Sequence, residues 1–187
     1  MEFIMLGHSH IALGHYLIDQ YLPHLSGRYK TAFLLGCIQP DKNPTTYLKG
    51  SIRCQWLRGH NFTNARPFMQ QISRRLEKKN RLNLFDYYTL GKLIHYTADA
   101  FTAAHNDFFP KDLRLHRQYE QLLQDHFLKY LQSTPMPQVR CGRTIIDSIA
   151  DQHHAYLRQD ASIQRDAQFV LQACCCVLAI LLTPRII

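Results

Sequence analysis

Apolar positions along this chain recur every three to four residues over most of its length, and two-residue alternation is scarce, which predicts helices and little strand. A first helix is predicted over residues 8–21, stopped by Pro23. A second covers 29–38 and ends at Gln39-Pro40-Asp41-Lys42-Asn43-Pro44, where two prolines are expected to forbid continuation. Residues 64–79 read as a third helix, whose basic end (Arg74-Arg75, Lys78-Lys79) suits the negative pole of a helix dipole. Asp86 is placed to cap a long helix reaching about residue 104, with Leu90, Leu93, Ile94, Ala98 and Phe101 on its apolar positions. Asp112 can start another, to residue 131. Ser133-Thr134-Pro135-Met136-Pro137 reads as a break within one domain, and two closing helices are predicted over 144–157 and 161–182. The pattern predicts an all-α, single-domain bundle of six or seven helices spanning residues 1–187.

A length of 187 residues, 46% hydrophobic and 19% charged, suits one domain with a sizeable core and excludes a disordered or collagen-like chain. Lys and Arg exceed Asp and Glu by 22 to 14, a balance of +8 that favours a polyanionic partner: phosphodiesters, an anionic membrane face or nucleic acid. Eleven Asp, three Glu and eleven His are the stock from which a metal site is drawn. The longest apolar run, 169–182, is interrupted by Gln172 and falls short of the roughly 18–20 residues needed to cross a bilayer. It is expected to be a core helix, with a helix lying on a membrane surface as the alternative, and no transmembrane segment is expected. Of the six cysteines, Cys174, Cys175 and Cys176 are consecutive and none forms a CxxC pair, which predicts reduced, mostly buried thiols. The opening Met1-Glu2-Phe3-Ile4-Met5-Leu6-Gly7 has no basic n-region, so a cytoplasmic location is expected, with peripheral membrane contact as an option.

The polar chemistry concentrates on the central helices. His95 and Asp99 stand four apart, on one face and one turn from each other, so they can converge on one ion. His116 and Glu120 repeat that spacing on the next helix. His105 sits at the junction, before Asn106-Asp107-Phe108-Phe109-Pro110. Either pair alone is an ordinary surface or core contact. Two of them on consecutive helices, with a histidine between, point to a metal site built from facing helices.

These residues also carry a resemblance. Gly36-Cys37-Ile38-Gln39-Pro40-Asp41, Gly59-His60-Asn61-Phe62, and the stretch from Leu90 through His95-Tyr96-Thr97-Ala98-Asp99 to His105-Asn106 resemble the zinc-dependent phospholipase C family, related in fold to zinc nucleases that prefer single strands. The opening Ser9-His10-Ile11 resembles that family's first histidine, and the likeness runs from His10 to Glu120, about 60% of the chain. It implies two or three zinc ions in a cleft of the bundle. One would be held by Asp41, His60, His95 and Asp99, and a second by His105, His116 and Glu120. A third would share Asp99 with His10, and in the family a processed N-terminus completes it; here Met1's amine or His8 are the substitutes. The resemblance further implies that a hydroxide held between zinc ions attacks phosphorus, with Asp41 as both ligand and base and Asp99 bridging the metals. The family's choline-specific members carry an aromatic residue where this chain has Lys42, which argues against a quaternary ammonium headgroup and suits an anionic one.

The remaining features are read as packing or surface. His15, His24, His126 and the His153-His154 pair match no ligand position, and the Arg74-Arg75 and Lys78-Lys79 clusters read as a solvated face, or as a contact for lipid or nucleic-acid phosphates. Tyr87-Tyr88 and Phe108-Phe109 read as core and loop anchors; Trp56 lines the cleft or an interfacial rim, or packs in the core. The first 130 residues hold the polar chemistry and the last 45 read as packing. The expected function is a zinc-dependent phosphodiester hydrolase of phospholipase C type, cleaving a phospholipid. The alternatives are a zinc nuclease acting on single-stranded nucleic acid and a non-catalytic module that zinc merely holds together.

Overall fold

The computed structural model describes residues 6–42, 62–110 and 112–182; within them the chain forms seven α-helices and a short 3-10 turn, with no strand. The helices are α1 (Leu6–Tyr21), α2 (Gly27–Lys42), α3 (Phe62–Glu77), α4 (Leu84–Ala100), α5 (Leu113–Ser133), α6 (Ile145–Leu157) and α7 (Ile163–Leu182), and the 3-10 turn is Ala103–His105. The fold is therefore all-α, as the periodicity predicts. Helix α4 lies at the centre, and every residue from Leu93 to Ala100 is buried. Leu13 and Leu17 of α1, Phe33 of α2, Met69 of α3 and Leu171 of α7 close around it with no exposed surface. Each such side chain contributes about 1.5–3 kcal/mol of burial, which is what holds the polar centre of α4 inside.

Helices α2 and α4 run in the same direction, since Tyr29 pairs with Tyr87 and Cys37 with His95. They cross at Gly36 and Gly91, where a Cβ on Gly36 would run into the Tyr88 carbonyl oxygen and one on Gly91 into that of Phe33. Only glycine allows the two backbones this close.

Several boundaries differ from expectation. Helix α2 does not stop before Pro40 but continues to Lys42. Pro40 falls in the last turn, so it removes a single intrahelical bond near an end that frays in any case. Asp86 does not cap α4. Asn83 does, accepting from the Asp86 amide, while Asp86 reaches back to the Asn83 amide as the reciprocal member of a capping box. Asp86 is fully buried and also takes Arg75 at 2.7 Å and Lys79 at 2.6 Å, so half of the basic cluster is committed to an ion-pair network while Arg74 and Lys78 remain exposed. Burial works to raise its pKa, but Lys79, the Asn83 amide and Arg75 hold it below the usual carboxylate value.

The thiol expectation is corrected at two positions: Cys141 is disulfide-bonded to Cys176, with Cα atoms 5.7 Å apart. Successive residues on a helix point about 100° apart, so of the three adjacent cysteines one can face the segment before α6 while its neighbours face the core. Cys174, Cys175 and Cys37 are buried free thiols, as expected; Cys54 lies outside the described residues. Helix α7 is longer than its apolar run, at 20 residues with a mean hydropathy of 1.6 in its best window. By length and composition it could cross a membrane, yet 67% of that window is buried among the other helices. Arg165 and Asp166 are buried near its start, so it serves here as a core helix.

Candidate metal centre

Helix α4 presents His95 and Asp99 from consecutive turns, with His95 Nε2 3.2 Å from Asp99 Oδ2. Helix α1 brings His10 across them: its ring stacks on His95 at 4.0 Å between centroids, and its Nε2 lies 3.3 Å from Asp99 Oδ1. The continuation of α2 past Pro40 brings Asp41, whose Oδ1 is 3.4 Å from His95 Nε2. The 3-10 turn delivers His105, with Nε2 4.0 Å from Asp99 Oδ2 and 3.9 Å from Glu120 Oε1. On α5, His116 Nε2 meets Glu120 Oε1 at 2.8 Å.

The side chains form two groups. Donor atoms of His10, Asp41 and His95 lie within 4.8 Å of one another, as do those of His105, His116 and Glu120. Asp99 stands between them, one oxygen toward His10 and the other toward His95 and His105. Seven of the eight ligand positions anticipated from the sequence thus meet in one place; His60, the eighth, lies outside the described residues. One grouping differs: His10 sits with Asp41 and His95 as well as against Asp99, because the α1–α4 packing stacks its ring directly on His95.

The rings are oriented from behind. His95 Nδ1 is 2.8 Å from the Cys37 carbonyl, to which it donates, so Nε2 faces the carboxylates. The Thr102 hydroxyl donates to the Asp99 carbonyl at 3.0 Å and accepts from His105 Nδ1 at 2.8 Å, which turns His105 Nε2 inward. Burial lowers the pKa of His95, but Asp99 and Asp41 outweigh it and hold the ring at about 9. For Asp99 burial acts upward, and His95 and His105 prevail, keeping the carboxyl well below its usual value. The hydrogen bond to Glu120 raises His116.

The donor set fits zinc. It is all nitrogen and carboxylate oxygen, with the His95 and His105 imidazoles fixed at the far ring nitrogen. Separations of 3.2 and 3.4 Å from His95 Nε2 to Asp99 Oδ2 and Asp41 Oδ1 match the roughly 3.3 Å edge of a tetrahedron with bonds of about 2.0–2.1 Å. Asp41 Oδ2 is buried with no hydrogen-bond partner among the described residues. Beside Asp99, His105 and Glu120 a cavity opens, with Leu13, Leu123, Phe127 and Val170 as well as Ser9 and Gln124 among its other walls.

Sequence reasoning missed a layer behind this centre. Asp166, fully buried on α7, accepts from the Ala103 amide at 2.5 Å, from the Tyr119 hydroxyl, from Tyr156 at 3.0 Å and from Arg165 at 2.9 Å. Asn106 donates to the carbonyls of Ala100 and Thr102, and His153 Nε2 donates to Asn106 Oδ1 at 2.9 Å. The closing helices therefore carry polar chemistry as well as packing. An Asp in the first turn of a helix is an ordinary sequence feature, and only the Arg165 beside it hinted at a buried charge.

No curated protein and no solved structure matches the chain. The family model described as zinc-dependent phospholipase C matches residues 9–173, from the residue before His10 through most of α7. With nearly the whole bundle and all seven assembled donors inside that match, the chain belongs to the zinc-dependent phospholipase C family.

Proposed function

We propose that the chain hydrolyses the phosphodiester of a glycerophospholipid on the glycerol side, releasing diacylglycerol and a phosphorylated headgroup. The observation that carries this reading is the three-donor group His105, His116 and Glu120, lying across Asp99 from a second donor cluster, since a site with three protein ligands leaves a position open for water or substrate. Asp41, His60, His95 and Asp99 would hold one zinc, His105, His116 and Glu120 a second, and His10 with Asp99 would contribute to a third. Zinc, when bound, acidifies water and neutralises charge on phosphoryl oxygens. Asp41 orients the attacking water and takes its proton at Oδ2, the oxygen that has no hydrogen-bond partner among the described residues. The apolar wall of Leu13, Leu123, Phe127 and Val170 supports a lipid leaving group. Lys42, exposed next to Asp41, supports an anionic headgroup, and exposed Phe108, Leu115, Arg114 and Arg117 near His116 support contact with an anionic membrane surface.

The test is diacylglycerol release by the zinc-replete chain from vesicles of anionic or choline phospholipid, with single-stranded DNA assayed alongside. Release that favours anionic headgroups and is abolished by chelation and by His95→Ala is the expected result. No release from any phospholipid overturns the proposal, and nucleotide release in its place would make the chain a nuclease.

A further inference from the structure

We infer that Asp166 is a positioning residue that ties the 3-10 turn carrying His105 to the helix carrying His116 and Glu120, and thereby sets the zinc affinity of that group. The inference rests on the ligand assignment proposed above and adds to it a residue that touches none of the donors.

A single oxygen, Asp166 Oδ2, accepts from two elements at once: the Ala103 amide, at the start of the turn, and the Tyr119 hydroxyl on α5. His105 lies two residues beyond Ala103, and Thr102, just before it, holds the His105 ring. Tyr119 directly precedes Glu120 and follows His116 by three positions, so all three share one turn of α5. The distance between His105 and its partner ligands is thus spanned by one carboxylate oxygen. The other oxygen is occupied by Tyr156 and Arg165, which fasten Asp166 to α6 and to its own helix. Arg165 in turn donates to the Gln159 carbonyl at 2.8 Å and stacks on the Tyr156 ring, 3.9 Å from its centroid. An apolar residue would fill this space without the cost of burying an ion pair. It could not bond the turn and α5 together.

The experiment compares zinc affinity, read by chelator competition, with the absorption spectrum of the cobalt-substituted chain in wild type, Asp166→Asn and Tyr119→Phe. Asp166→Asn strands the buried Arg165 charge and can fail to fold, so Tyr119→Phe decides the matter: it removes one donor and leaves Asp166 with three. The expected result is a tenfold to hundredfold loss of affinity at one class of site, the range for partners behind metal ligands, with an altered cobalt spectrum and helical content unchanged. Thr144→Ala, which deletes the α6 cap far from the centre, serves as the control; it is expected to lower the melting temperature and leave affinity and spectrum alone. Wild-type affinity and spectrum in folded Tyr119→Phe overturn the inference. His116→Ala separates the two levels. If it binds as much zinc as wild type, the ligand assignment falls and this inference with it; if it loses one class of site while Tyr119→Phe keeps it, only the inference falls.

Discussion

Asp99 is the residue on which both halves of the centre depend, because its two oxygens face different imidazoles from three separate elements. Asp99→Asn keeps the shape and removes the charge. The expected outcome is zinc binding weakened by more than about 100-fold in both groups, seen as two lost equivalents in a titration rather than one. A second residue-scale consequence concerns His153. Burial, assisted by His154 and Arg66, pulls its pKa down to about 4, and it stays neutral to donate to Asn106. Its folded value lies below the unfolded one of about 6.5. The stability it contributes is therefore complete above that pH and is lost as pH falls from about 6.5 toward 4. The melting temperature of the metal-stripped chain should drop over that window. His153→Gln, which retains a donor for Asn106, should make the drop shallower.

At the scale of elements, α4 shows what local sequence can and cannot reveal. Its apolar spacing and the four-residue steps of His95–Asp99 and His116–Glu120 are local facts, so both helices and the pairing of these side chains were legible. The start of α4 was not, because Asn83 and Asp86 are both competent caps and the choice is made by Arg75 of α3 and Lys79 just beyond that helix. The end of α2 was missed for a related reason: a proline in a last turn breaks little, and the turn it permits is the one that carries Asp41 to His95. Replacing Asp86 with Asn would leave Arg75 and Lys79 without their common anion. Both cations are partly exposed and can turn to water, so denaturant unfolding should show a loss of about 2–3 kcal/mol, with the zinc affinity unchanged.

For the molecule as a whole, the core and the metal centre are separable. The apolar residues of α1, α3, α4 and α7 form a continuous buried cluster of their own, so chelation should lower the melting temperature by several degrees while circular dichroism at 25 °C keeps its helical signal. Collapse of that signal on chelation would instead mark zinc as the fold's scaffold. The global reading from sequence was correct in class and in the family it pointed to, yet it took the last 45 residues for packing, where His153 and Asp166 carry polar networks. His10 and Asp41 lie far from the α4 ligands in sequence, and only the family likeness linked them. Asp166 could not be found, since its donors come from the turn, α5, α6 and α7, and no spacing rule spans them.

The meeting of Gly36 with Gly91 has a consequence for how such a protein can diverge. Asp41 stands five residues past that crossing, about 7.5 Å along the helix, so α2 acts as a lever whose fulcrum is two bare backbones. Lineages or design campaigns can repaint much of the surrounding interior and keep the reaction. Thickening the fulcrum by a single carbon would swing the lever's tip, and the acid it carries, out of reach.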